Sequence, residues 1–133
     1  MFTRVAKPIC LAGALAGLLA ATTGTRETTV EGVLIDKMCS YKAETRVVPG
    51  PRLEGGIIVA YTETKKCALE PECQRSGYGV FTYEQKFVPF DHEGNQKALA
   101  YFKQSKQEDD FRVAVTGEMH DGLMHVTSIR PLP

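Results

Sequence analysis

Apolar and β-branched residues first gather at Thr28–Asp36, T-T-V-E-G-V-L-I-D, which predicts a strand ending on an acidic residue, with Gly32 marking a bend or bulge. Residues 40–56 turn to Lys, Arg, Glu, Pro and Gly, with P-G-P at 49–51, and predict a long loop. Residues 57–61 are apolar and short, as a strand would be. They run into T-E-T-K-K-C-A-L-E, whose composition suits a short helix capped by Thr62 or Thr64 and limited by Pro71. Residues 78–83 and 86–90 read as two strands of a hairpin turning at Glu84-Gln85. Asp91 is placed to cap the element that follows. Across 95–106, Ala98, Leu99 and Phe102 fall near one face with lysines on the others, the pattern of an amphipathic helix. Residues 111–119 alternate as a strand, and Asp121-Gly122 predicts a two-residue hairpin turn into a last strand over 123–130.

The expected order is strand, insert with a short helix, two strands, helix, two strands. This is a mainly β chain with one or two helices, and the order matches a five-stranded OB-like barrel with its helix between strands 3 and 4 and a long insert between strands 1 and 2. Closing the sheet would also remove exposed edges from a small domain. An open antiparallel sheet with the helix on one face is the rival arrangement.

The N-terminus changes the picture of where this domain works. Arg4 and Lys7 precede an uncharged run over residues 9–21 that gives way to T-T-G-T-R-E, the pattern of a secretory signal peptide. The run is too short and too rich in Gly and Ala to cross a bilayer comfortably. Residues 1–24 are therefore read as a cleaved leader and residues 25–133 as one domain, exported to a periplasm or beyond, with no membrane span after cleavage. Residues 1–24 contain two basic residues and no acidic one, so the remainder carries 14 basic against 16 acidic side chains, a formal charge of −2. Nucleic-acid binders draw affinity from a basic excess that is missing here, so a nucleic-acid partner is not expected. Cys10 lies in the leader, and three of the four cysteines remain for an oxidising compartment.

Those three are the candidate chemistry. Asp36-x-x-Cys39 closes the first strand, and K-C-A-L-E-P-E-C-Q-R-S-G-Y-G-V-F-T over residues 66–82 holds Cys67 and Cys73. Five residues with a proline lie between the latter two, unlike the C-x-x-C of zinc ribbons and thioredoxin-like sites. On one continuous helix Cys67 and Cys73 would lie about 9 Å apart, beyond the ~7 Å limit for a disulfide. The return of the insert beside the first strand's end predicts that Cys39, Cys67 and Cys73 meet in space. A bridge from Cys39 to either partner would close a loop of about 30 residues and stabilise the fold by about 3.5 kcal/mol. Clustered thiolates also suit copper or zinc. No His adjoins any of the three thiols, which disfavours thiol catalysis. The D-x-x-C, C-x5-C and S-G-Y-G-V-F segments, with Val115-Thr116-Gly117 and Val126-Thr127-Ser128-Ile129, resemble a family of small exported bacterial proteins without assigned activity. The resemblance implies an exported small domain; relatives often carry a His shortly before the first cysteine of the pair, where this chain has Lys65 and Lys66.

Further candidates are fewer. Met119-His120-Asp121-Gly122-Leu123-Met124-His125 would set Met119 against Met124 across the hairpin, with His120 and His125 diagonal on the other face, and thioether and imidazole are copper ligands. Asp36, Tyr78 and Tyr83 are candidate ligand-binding residues, the tyrosines because OB barrels bind on their central strands. The function expected from the sequence is a non-enzymatic, exported binding or interaction module for a small molecule or an envelope protein. In that reading the Cys39, Cys67 and Cys73 cluster supplies one structural disulfide. The alternative uses the same cysteines for soft-metal binding or thiol redox chemistry.

Overall fold

A computed structural model describes residue 24 and residues 26–45 and 55–133. The expected leader therefore lies, apart from Gly24, outside the described residues, as does the P-G-P segment of the expected loop. The first strand is β1 (Thr28–Asp36), followed by four short helices, α1 (Lys37–Glu44), α2 (Gly55–Ala60), α3 (Lys65–Ala68) and α4 (Pro71–Ser76). A hairpin of β2 (Tyr78–Thr82) and β3 (Phe87–Pro89), helix α5 (His92–Gln104) and a second hairpin of β4 (Arg112–His120) and β5 (Leu123–Pro131) complete the order.

The strands form one sheet in the order β3-β2-β1-β4-β5, with every ladder antiparallel. A mainly β domain with a helix between the third and fourth strands and a long insert between the first two is thus present. The ladder itself is open. Its edges β3 and β5 meet at one parallel bridge, Phe90 with Met124, beside which the Asp91 N–H donates to Met124 O at 3.1 Å.

Alternation in β1 sends Leu34 to one face and Val33 and Ile35 to the other, and both faces are covered. Leu34 joins Val80, Phe102, Phe111, Val113, Val115 and Val126 in the larger core, beneath α5. Val33 and Ile35 join Phe81, Ala43, Ile57 and Ala60 in a smaller core made with α1 and α2. Two-sided burial explains why the end of β1 is continuously apolar rather than strictly alternating. In α5, Asp91 caps the helix through the Gly94 N–H at 2.8 Å, as its position predicts, and Gly94, Ala98 and Phe102 form the buried stripe. The helix therefore begins three residues earlier than its periodicity suggests.

Most departures fall in the insert, whose described residues hold four helices where one was expected. Ser40 and its neighbours belong to α1, and residues 57–61 are largely helical in α2 rather than a strand. A short, uniformly apolar run does not reveal its period, and this one buries Ile57 and Ala60 at helical spacing. The helix at Cys67 does stop short of Pro71, with Glu70 extended before it, and Pro71 in addition opens α4, where its fixed φ and missing N–H suit the first helical position. Gly32 pairs in register with Thr82 and Val113, and the ladder irregularity lies instead at Thr116/Gly117, opposite Thr127.

The β4–β5 hairpin turns at Asp121 and Gly122, whose φ angles of 51° and 78° are both positive, as a primed two-residue turn requires. A Cβ on Gly122 would meet nothing within 4 Å, so only backbone strain opposes a side chain there. Gly122→Ala is expected to lower stability by about 1 kcal/mol, and Asp121→Asn, which keeps a residue tolerant of positive φ, to leave it nearly unchanged. Urea unfolding of the two variants checks this, and equal midpoints for Gly122→Ala and the parent would remove the strain assignment.

Candidate metal centre

β1 ends on Asp36, which does two jobs at once. It pairs with Tyr78 at the start of β2, and it is the N-cap of α1, its Oδ1 accepting the Cys39 N–H at 2.9 Å. Asp36 therefore fixes Cys39 in the first turn of α1. The same local design recurs at α3: Thr64 caps the helix and its Oγ1 accepts the Cys67 N–H at 3.1 Å. Cap-x-x-Cys occurs twice, as D-x-x-C and T-x-x-C, and both thiols take the third helical position. Lys65 anchors the second of these turns to the chain after α5, its N–H donating to Glu108 O at 2.8 Å and its Nζ to Ser105 O at 2.8 Å.

These two turns face each other. Cys39 Sγ and Cys67 Sγ lie 4.0 Å apart, well outside the ~2.05 Å of a disulfide. Glu63, one residue before the cap of α3, reaches back so that its Oε2 accepts the Asp36 N–H at 3.4 Å. One donor atom from each of Asp36, Cys39, Glu63 and Cys67 lies within 4.8 Å of every other. It is the one such group of metal-ligand side chains among the described residues.

Asp36 is 0% and Glu63 3% exposed. Asp36 Oδ2 and Glu63 Oε1 are buried without any hydrogen-bond partner. Two acidic side chains in this position strongly resist ionisation together. Burial, and then the Asp36 carboxyl beside it, push Glu63 up to about 8. Burial followed by the charges of Glu63 and Asp36 pushes the Cys39 thiol far above its ordinary range. Cys73, on α4, is buried, and burial together with Asp36, Cys67 and Glu63 raises it to about 12. All three expected cysteines are thus gathered around Asp36, with Cys73 outside the four-donor group. A cavity of about 130 Å³ lined by Cys39, Lys42, Val59, Thr62, Glu63 and Cys67 leads to the group.

The remaining candidates are placed elsewhere. Tyr78 is buried against Phe102, its hydroxyl donating to Ala68 O, so it holds α3 to the sheet rather than presenting a binding surface. Tyr83 lies just past β2 and is 40% exposed. Met119 does pair with Met124, and the two histidines do lie diagonally across the ladder. Each histidine, however, is bound to a different carboxylate: His125 Nδ1 to Asp91 Oδ2 at 2.7 Å, and His120 Nε2 to Glu118 Oε2 at 3.2 Å. They do not form a common ligand set.

Sequence reading missed Glu63, because nothing in T-E-T-K-K-C distinguishes a buried carboxylate from a solvated one. The twofold cap-x-x-Cys spacing was the available signal. No family model, curated protein or solved structure matches the chain.

The raised Glu63 pKa has a definite sign. Below about 4.5 the carboxyl is protonated whether the chain is folded or not; above that the unfolded chain releases the proton while the folded chain keeps it until pH about 8. Without metal, stability should therefore fall as pH rises from 4.5 to 8. Glu63→Gln should flatten this part of the profile and melt higher than the parent at pH 8, as read by thermal unfolding in chelator. A parent profile already flat in that window would contradict a buried protonated Glu63.

Proposed function

We propose that this chain is an exported metal-holding module that binds one zinc ion through Asp36, Cys39, Glu63 and Cys67. The observation that carries the reading is the pair of unpartnered, buried carboxyl oxygens set against two thiols 4.0 Å apart. Two zinc–sulfur bonds of ~2.3 Å at a tetrahedral angle separate their sulfurs by ~3.8 Å, close to that spacing. Thiolate and carboxylate are both zinc ligands, and with all four deprotonated the bound site would carry the same net charge as a four-cysteine zinc site. Four protein donors complete a tetrahedral set. This supports a holding rather than a catalytic role, because catalytic zinc keeps a position open for water. Copper(I) would use the two thiolates and leave the carboxylates without a cation, so zinc explains more of the group.

In this reading the host is an OB-like barrel, supported by the strand order and by the single bridge joining β3 to β5. Its ligand surface would be the insert between β1 and β2, not the central strands. The second reading is a Cys39–Cys67 structural disulfide formed after export, favoured by the closeness of the two sulfurs. That bridge would leave the buried carboxyls to share a proton.

Reduced protein titrated with zinc against a chromophoric chelator should take up one ion per chain, with a rise in melting temperature. Cys67→Ser should abolish tight binding, and Glu63→Gln should weaken it by about 100-fold, since even residues that only support a ligand cost about 10–100-fold. Absence of stoichiometric uptake of either zinc or copper(I) by the reduced chain would overturn the metal reading.

A further inference from the structure

We infer that the zinc site is a redox latch: an organic disulfide oxidises Cys39 and Cys67 to a Cys39–Cys67 bond and the metal is released. This rests on the zinc reading above and adds how the site gives its metal up.

The geometry brings together what such a latch needs. The two sulfurs already face each other at 4.0 Å, so forming the bond requires them to close by roughly 2 Å. They sit on separate short elements: Cys39 on the first turn of α1, and Cys67 on α3, which spans only Lys65–Ala68. Each backbone is held by its own cap, so the approach falls to side-chain rotation and a small shift of a single helical turn. Both thiols are half-buried and line a cavity whose other lining residues include the exposed Lys42 and Thr62. A small disulfide has a route in. Cys73, in contrast, is buried on α4.

The exchange balances without any further reagent. One protein thiolate attacks the organic disulfide, forming a mixed disulfide and expelling one thiolate of the reagent. The second protein thiolate attacks the protein sulfur of that mixed disulfide, closing Cys39–Cys67 and expelling the other reagent thiolate. Two electrons pass from the cysteine pair to the reagent, which leaves as two thiols after taking up two protons from water. Zinc leaves as Zn²⁺ with its charge unchanged. What remains is Asp36 and Glu63, two oxygen donors with disulfide sulfurs in place of thiolates. A two-carboxylate remnant is a poor zinc site, since structural zinc takes four strong ligands. The carboxyls therefore serve as the fixed half of the site and the sulfurs as the half that is withdrawn.

The test is to load the reduced full chain with one zinc, add oxidised glutathione, and follow released zinc with an indicator while intact mass and peptide mapping report the bond formed. One zinc should appear per Cys39–Cys67 bond, apparent affinity should fall by at least about 100-fold, and added dithiothreitol should restore binding. Cys73→Ser should behave like the parent. Cys39→Ser should stop at a glutathione adduct on Cys67. Zinc retained after the bond forms, a bond that instead includes Cys73, or a pair that oxidised glutathione leaves reduced would each overturn the latch while leaving zinc binding intact. If the reduced chain takes up no zinc at the first step, the zinc reading itself fails and the latch with it.

Discussion

Two carboxyl groups buried against each other at the end of a strand dominate this small protein. Asp36 is wholly enclosed, and Glu63 is nearly so; each keeps one oxygen with no partner. Burying a single ionised carboxylate without compensation is costly, and two together can persist only if a proton or a cation joins them. Much of the surrounding architecture bears on that constraint. Asp36 is at once the last residue of β1, the register partner of Tyr78 and the cap of α1, so it cannot swing to solvent without loosening three elements.

The insert is the counterpart of the same constraint. Its helices are too short to be stable in isolation, and helices of this length depend on tertiary packing. Here α1 and α2 cover the outer face of β1 and β2 through Ala43, Ile57 and Ala60, while α3 is tied to the sheet by the Tyr78 hydroxyl and to the chain after α5 by Lys65. The result is a sheet with two faces of different use. One face, under α5, is an apolar core of ordinary kind; the other carries a thin apolar layer whose rim holds the acids and the thiols. Cys39 itself packs against that layer, so the proposed metal site and the smaller core are mechanically one unit.

The proposed zinc latch uses this arrangement economically. Caps hold the two backbones, carboxyls stay in place, and only sulfurs change partner. Cys73 lies close enough to feel the charges on Asp36, Cys67 and Glu63, yet it is buried and does not line the cavity. In the proposal, that difference in burial divides the three cysteines into a working pair and a packing residue.

Local signals along the chain were enough to specify the order of the sheet. Thr28–Asp36 is a strand with the expected bounds, Asp91 caps α5, Asp121-Gly122 is the hairpin turn, and the order of strands and of the main helix is the order found. These are local properties, set by period, by capping chemistry and by turns that need positive φ. The gathering of Cys39, Cys67 and Cys73 near the end of β1 was also legible, because the insert begins and ends at paired positions of neighbouring strands. That residues 57–60 coil rather than extend came from packing, since a short apolar run satisfies either period until the face it meets is known. Packing also decided that Pro71 starts a helix. It alone brought in Glu63, which in sequence is one more acidic residue among lysines and threonines. Burial is a property of what packs around a side chain, and for Glu63 the neighbour that matters, Asp36, is 27 positions away.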